Sequence, residues 1–458
     1  MNDQADREER DSDSAAQEAL ARDILARDRR HVWHPFTQHG TETEPLLIAG
    51  ARGASLYDAG GREILDLISS WWTCTHGHSH PALNEALAQQ AARFEHVMFA
   101  GFTHQPAVDL ATALSQLLPG DLSRVFFSDD GSTSVEVALK IAYQYWANRG
   151  EARRRVFISF DGGYHGDTLG AMSVGRGSGF FNLFRNMMCQ VAVLPFPYTF
   201  EGDEAAEDRE KGALTALEDR LSNGTHDVAA LILEPMLQGA GGMRMCRPEF
   251  LKRLVEIAQS AGVLVIFDEV ATGFGRTGTL FAMQQAGVVP ELVCLSKGLT
   301  SGYMPMAVTV ARDKVFEGFL GESFDKALPH GHSFTANPLA CAVAIRSLML
   351  FAEENTLQRI SRIASRHRDM LDELRRREDV VRPRTLGSIL AFDLKGEASY
   401  QSAQSQALKA WFLSHGLNIR PLGSTVYLMP PYCITDAELA RAYAGLIEGL
   451  DWLVANRP

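Results

Sequence analysis

Between Gly262 and Gly298 the chain reads GVLVIFDEVATGFGRTGTLFAMQQAGVVPELVCLSKG, and two short apolar runs within it constrain the architecture more than anything else. Val263 to Phe267 is β-branched and aromatic with no polar alternation, the mark of a strand buried on both faces of a parallel sheet. It ends in Asp268-Glu269. A second such run, Leu292 to Leu295, ends in Ser296-Lys297-Gly298. Parallel neighbours need a crossover of a dozen or more residues. The twenty-nine positions from Asp268 to Lys297 accommodate one, so a carboxylate and an amine can close adjacent strands and face one pocket. Ligands of open α/β sheets sit at that carboxyl edge, and a buried carboxylate there must be paired or hydrogen-bonded. A strand-end ion pair without chemistry is the simpler reading of the same two residues.

A chain of 458 residues, 46% hydrophobic and with 39 glycines, can bury a large core and make many tight strand-to-helix turns, in two or three domains. Its net charge of −12, with basic residues dispersed except at Arg153-Arg154-Arg155 and Arg375-Arg376-Arg377, argues against nucleic acid as a partner. No apolar run reaches the roughly 18 residues of a membrane span, and the N-terminus is acidic, so a cytoplasmic, membrane-free protein is expected. The six cysteines, at 74, 189, 246, 294, 341 and 433, have no zinc-site or disulfide spacing and are expected to be reduced.

Residues 1–17 are polar and read as a disordered tail, followed by a helix over Ala16–Arg30. Val32-Trp33-His34-Pro35-Phe36-Thr37 is an extended aromatic segment that packs on a core or lines a pocket. Gly60-Gly61 joins two short strands as a hairpin, and Ser69-Ser70-Trp71-Trp72 follows, with one tryptophan expected over a ligand pocket and the other as an anchor. His76, His78 and His80 have donor chemistry for a metal, but the interleaved Gly, Ser and Pro favour an irregular loop. From Val125 strands and helices alternate, which implies an α/β region with a mostly parallel sheet. There Gly131, Ser132 and Thr133 precede a helix for which Thr133 and Glu136 fit a capping box, and a glycine with two hydroxyls at a helix start is a phosphate cradle. Tyr164, placed by glycines at the end of the strand Val156–Phe160, suits stacking on a flat ring. Residues 201–212 read as an exposed acidic insertion. The last 80 residues suggest a smaller α+β domain completed by the N-terminal strands, giving a division into 18–85, 86–350 and 351–458.

A lysine and an acid at neighbouring strand ends suit pyridoxal phosphate chemistry. The amine forms an imine with the cofactor aldehyde, and the acid keeps the pyridine nitrogen protonated so that the ring can accept electrons.

From about His31 onward the chain resembles the class III (ω-type) aminotransferases of pyridoxal phosphate fold type I, and within them the biotin-pathway subgroup that aminates 8-amino-7-oxononanoate. The resemblance rests on WHPF at Trp33 to Phe36, SSWW at Ser69 to Trp72, HVMFAGFTH at His96 to His104, GYHGDTLGAMSV at Gly163 to Val174, EPMLQGAGGMRM at Glu234 to Met245, DEVATGFGRTG at Asp268 to Gly278 and YLMPPY at Tyr427 to Tyr432. It implies that Lys297 carries the imine and shuttles the proton, that Asp268 pairs with the pyridinium nitrogen, that Gly131 and Ser132 hold the phosphate and that Tyr164 stacks on the ring. It further implies a homodimer with active sites at the interface, where Gly331 lies near substrate and Ser333 reaches the neighbouring phosphate. Trp71 lines the substrate pocket, Arg420 receives the keto-acid carboxylate, and Glu234 and Arg276 support the site; S-adenosylmethionine is the implied amino donor. Three departures stand out. Phe36 replaces a common tyrosine, His332 precedes Ser333 where proline is usual, and Asp130 stands for a serine beside the phosphate loop, where its carboxylate is expected to turn toward the protein. The alternatives are another ω-aminotransferase acting on diamines, β-alanine or pyruvate, and a cofactor-binding regulator without turnover. A nicotinamide dehydrogenase is disfavoured because no GxGxxG follows an early strand.

Overall fold

In the computed structural model, residues 2–41, 44–178, 180–396 and 402–456 are described. A seven-stranded sheet runs through the middle of the chain in the order Leu122–Ser128, Ala307–Arg312, Leu292–Leu295, Leu264–Asp268, Val228–Leu233, Val156–Phe160, Val191–Leu194. Every neighbouring pair is parallel except the two made by Ala307–Arg312, which runs antiparallel to both its partners. The strand expected at 263–267 sits at the centre, and its residues divide between two cores. Leu264 and Ile266 join the cluster built on the helix Gly131–Asn148, while Val265 and Phe267 join the larger cluster on the opposite face. Such a strand cannot alternate, because both of its faces lose water. Truncating any of these side chains to alanine costs about 2–5 kcal/mol.

Two smaller sheets form the other body. One places the N-terminal strands Ile48–Arg52, Ser55–Asp58 and Glu63–Asp66 side by side and closes with Leu417–Asn418, parallel to the last of them. The other is Val380–Leu386, Ile389–Leu394 and Thr425–Leu428. Leu65 and Leu67 share one core with Ile363, Phe392, Phe412 and Leu446, so the two chain ends are folded together. Among the described residues no helix is long and apolar enough to cross a membrane.

Three local expectations are corrected. The segment expected to be a disordered tail is helical from Asn2, continuous with the first helix to His31; its Glu, Arg, Gln and Ala residues are good helix formers even without an apolar face. Met1 lies outside the described residues. The supposed insertion at 201–212 enters the helix Ala206–Ser222, which buries Ala213, Leu217 and Leu221, and its Glu210 pairs with Arg247 at 2.7 Å. Trp33 is 91% exposed and so does not pack on a core of this chain.

Candidate active site

Asp268 and Lys297 meet as their spacing implies. The strand register sets Asp268 beside Cys294, three residues before the lysine, and both side chains open into one cavity of about 640 Å³. Asp268 is 3% exposed, and its Oδ2 lies 2.7 Å from Nδ1 of His165, while its Oδ1 accepts the Val270 N–H at 3.1 Å. Burial opposes a charge on His165, but the hydrogen bond and the negative charges of Asp268 and Glu234 outweigh it and hold the imidazole above its usual range. Lys297 leaves its strand with φ +47 and sets Nζ 4.4 Å from the centre of the Trp72 ring. Burial lowers its pKa to about 8 against the pull of Asp268 and Glu234. An amine so placed is neutral in a sizeable fraction near physiological pH and can act as nucleophile or base.

Glu234 closes the back of the cavity, its two oxygens accepting the N–H groups of Tyr164 at 3.0 Å and Gly239 at 2.9 Å. Burial pushes its pKa up to about 7. The Tyr164 ring stacks on Phe181, 5.9 Å away and 22° from parallel, and its hydroxyl reaches Asp167; burial again raises its pKa.

At the cavity mouth begins the helix Gly131–Asn148. Its cap is Asp130, in a reciprocal box with Thr133, where the sequence pattern pointed to Thr133 and Glu136. Glu136 instead accepts the N–H groups of Gly170 and Ala171. Asp130 therefore turns its carboxylate onto its own helix, accepting the Thr133 N–H at 2.9 Å. The first two amides, of Gly131 and Ser132, have no acceptor within the helix and add to the positive helix end. A side chain at Gly131 would come within 2.7 Å of Val270, and one at Gly166 would overlap Ser132. The Ser132 hydroxyl shares a 2.8 Å hydrogen bond with Thr168. Bare backbone at a helix start, a basic lysine, a buried acid and an aromatic ring around one cavity are what a phosphorylated pyridine aldehyde requires.

The tandem tryptophans are placed differently within this chain. Trp72, 4% exposed, lines the cavity and donates to the Tyr427 hydroxyl at 3.0 Å, whereas Trp71 is 39% exposed and is not among the lining residues. Ser69 to Trp72 all have positive φ, from 45° to 73°, a left-handed turn that no residue type along it favours. The turn is held by Ser69 donating to the Met429 carbonyl at 2.7 Å and Ser70 to Asp66 at 2.7 Å. Trp71 instead meets Phe36 edge-on and covers Arg420, whose guanidinium lies 5.2 Å from its ring centre. Arg276, 1% exposed, is a brace that donates to the carbonyls of Trp72, Cys74 and Pro430. Gly331 and Ser333 are exposed and outside the cavity lining, while His332 approaches Asp129 at 3.9 Å. The three histidines of the irregular loop go to separate partners: the Ser347 carbonyl for His76, Asp66 for His78 and Glu354 for His80. Sequence reasoning gave no role to His165 or Val270, which hydrogen-bond Asp268. His165 adjoins Tyr164 and Val270 lies two positions past Asp268, both beyond the strand ends, where no periodic pattern marks them.

The aminotransferase class-III family pattern matches residues 36–450. The adenosylmethionine-8-amino-7-oxononanoate aminotransferase of Synechococcus elongatus is 49% identical over 422 residues, covering 92% of this chain and 98% of that one. The solved structure of the enzyme of that name from Methanocaldococcus jannaschii superposes with a TM-score of 0.88 at 33% identity, covering 93% of this chain and 98% of the other. An amine transaminase from an uncultivated Pseudomonas species, solved in its PLP-bound form, gives a TM-score of 0.85 at 30% identity, with 92% and 98% covered. The fold is thus that of the type I pyridoxal phosphate transferases, and by sequence and structure together the chain belongs to the class-III aminotransferases.

Proposed function

We propose that this chain transfers an amino group to 8-amino-7-oxononanoate to give 7,8-diaminononanoate, with pyridoxal 5'-phosphate as cofactor and S-adenosylmethionine as donor, in the biotin pathway of the cytoplasm. The observation that carries the reading is the shared cavity of Lys297, Asp268, Tyr164 and the Gly131-Ser132 helix start, in a chain so similar to relatives of that name. The bound cofactor supplies an electron sink that makes the hydrogen beside the amine acidic. Lys297 holds the cofactor covalently between turnovers and moves the proton when its amine is free and neutral. Asp268, fixed by His165 and Val270, holds a proton on the pyridine nitrogen; Tyr164 covers the ring, and Gly131 and Ser132 bind the phosphate.

Arg420 binds the keto-acid carboxylate as a fork. It stacks on Trp71 and has no carboxylate partner among the described residues, which supports that role. Trp71 then contacts substrate through this stack, beside Phe36, and Trp72 forms the inner wall. A homodimer is part of the proposal, with Gly331 and Ser333 completing the site of the other copy. Phe324 and Phe334, 80% and 61% exposed on the same segment, and Met98 and Phe102, 57% and 58% exposed in the HVMFAGFTH motif, are the apolar surface such an interface would cover.

Single-turnover absorbance with S-adenosylmethionine, and with lysine, followed by addition of 8-amino-7-oxononanoate, tests the assignment. Amine transfer to that acceptor is expected. Conversion only with diamines, β-alanine or pyruvate would replace the substrate assignment with the broader ω-aminotransferase activity.

A further inference from the structure

A second cavity, of about 260 Å³, shares no residue with the first. It lies where the hairpin of Leu237–Gln238 and Arg244–Met245 faces the strands Val380–Leu386 and Ile389–Leu394. Its charged lining is Arg244 from one wall, and Arg382, Arg384 and Asp393 from the other.

Arg384 is fully engaged. It donates through Nε to the Met243 carbonyl at 2.7 Å, to the carbonyls of Gly242 and Arg382 at 2.6 Å each, and to both oxygens of Asp393 at 3.0 and 3.3 Å. That exhausts its five donors and clamps the two walls together. Asp393 also accepts from Thr425 at 2.6 Å and from Arg382 Nε at 2.7 Å. One buried carboxylate thus serves two guanidiniums. Arg382 spends one further donor toward the Tyr198 hydroxyl, which leaves the rest of its fork available. Among the described residues Arg244 is ion-paired only at the rim, 3.3 Å from an Asp161 carboxylate that is 57% exposed, a geometry worth little in water, and its guanidinium lies 5.4 Å from the centre of the Tyr198 ring. The cavity therefore holds excess positive charge in a chain whose net charge is −12.

The backbone is bent to make it. Strand pairing slips between Val381 and Arg384, and Arg382 between them has φ +50, a conformation that costs an L residue on the order of 1–3 kcal/mol and bends the strand. Opposite, Gly162 has φ +76, and a side chain there would come within 2.5 Å of Arg244; one at Gly241 would overlap the Gly162 carbonyl. Strain and bare backbone have together kept open a small charged space.

We propose that this cavity binds a phosphate-class oxyanion, held by Arg244 from one wall and Arg382 from the other. Guanidinium forks match phosphate oxygens in pairs, and the volume is below the range of cofactor-sized pockets, which excludes a nucleotide. Free phosphate and the phosphate group of a small metabolite share this chemistry. The occupant bridges the two bodies next to Gly239, against which the Trp72 ring packs so closely that a side chain would meet it at 3.1 Å.

The test is calorimetric titration of the cofactor-loaded protein, in which the Gly131-Ser132 cradle is already taken. Inorganic phosphate and glycerol 3-phosphate are the titrants, with ionic strength held constant by chloride. One saturable site per chain is expected, weakened at least tenfold in Arg244→Gln and in Arg382→Gln and unchanged in Arg124→Gln, a remote surface control. Because Arg382→Gln also disturbs Asp393 and can compromise folding, Arg244→Gln carries the decision if only one variant is soluble. Preference for phosphate identifies the free ion, and preference for the monoester identifies a metabolite. Absence of a saturable site, or affinity unchanged in Arg244→Gln, overturns the proposal.

Discussion

Replacing Gly131 by alanine asks whether the helix start cradles the cofactor phosphate. The new methyl carbon would sit 2.7 Å from one γ-carbon of Val270 and 3.1 Å from the other, so one side must move. Val270 cannot rotate away cheaply, since a β-branched side chain is stiff about its first torsion. Nor can its backbone shift freely, because its N–H is the 3.1 Å donor to Asp268. Overpacking of this kind costs about 1–3 kcal/mol, and the better helix propensity of alanine returns at most ~1. A net loss of about 1–2 kcal/mol corresponds to cofactor binding weakened roughly 5- to 30-fold. The assay is titration of the apo-protein with pyridoxal phosphate, followed by visible absorption. Val270→Ala removes the obstructing carbons, so Gly131→Ala combined with Val270→Ala should recover most of the loss relative to Val270→Ala alone. Binding of Gly131→Ala at the wild-type affinity, or strict additivity in the double variant, would refute the reasoning.

Lys297→Ala should abolish turnover, and borohydride reduction of the wild-type protein should fix the cofactor to Lys297; mass-spectrometric mapping to another lysine contradicts the assignment. Only the neutral amine attacks the aldehyde, so with its pKa lowered to about 8 the rate of cofactor capture should rise with pH to a midpoint near 8, not near the ~10.4 of an ordinary lysine. His165→Leu leaves Asp268 buried with only the Val270 donor and should cost about 3–5 kcal/mol, read as a lowered unfolding temperature. The His165 pKa is raised in the folded state, so its stabilisation is complete below ~6.5 and lost as pH rises through the folded value. The wild-type advantage over His165→Leu should therefore shrink from pH 6 to pH 9, and an advantage that grows would contradict the ion pair. Arg420→Ala should raise KM for the keto acid about 10- to 100-fold with a smaller change in kcat; unchanged KM removes Arg420 from substrate binding.

What was legible in the chain follows from how each feature is encoded. Strands buried on both faces announce themselves by unbroken apolar runs, and their length fixes where Asp268 and Lys297 emerge. The shared core of the chain ends was also readable, because Ile389 to Asp393 and Val426 to Met429 are too short to stand alone. Trp71 and Trp72 could not be told apart, since identical neighbours are separated only by a backbone conformation that neither favours. The helix cap was misplaced because Asp130 and Thr133 each satisfy a capping pattern, and only the chain path from Ser128 selects the first. The Ala206–Ser222 helix was obscured because charged residues outnumber its buried stripe. Ser333 and Gly331 carry no signal within one copy of the chain.

The left-handed turn at Ser69 to Trp72 has a consequence for biosynthesis. Its hydroxyl anchor is the Met429 carbonyl and its indole partner is Tyr427, and the strand that ends at Asp66 is completed by Leu417–Asn418. The strand Glu63–Asp66 and the turn after it therefore stay unsettled until residues 417–429 have left the ribosome. A product ending before Leu417 would lack all three partners, and its tryptophan wall would not close.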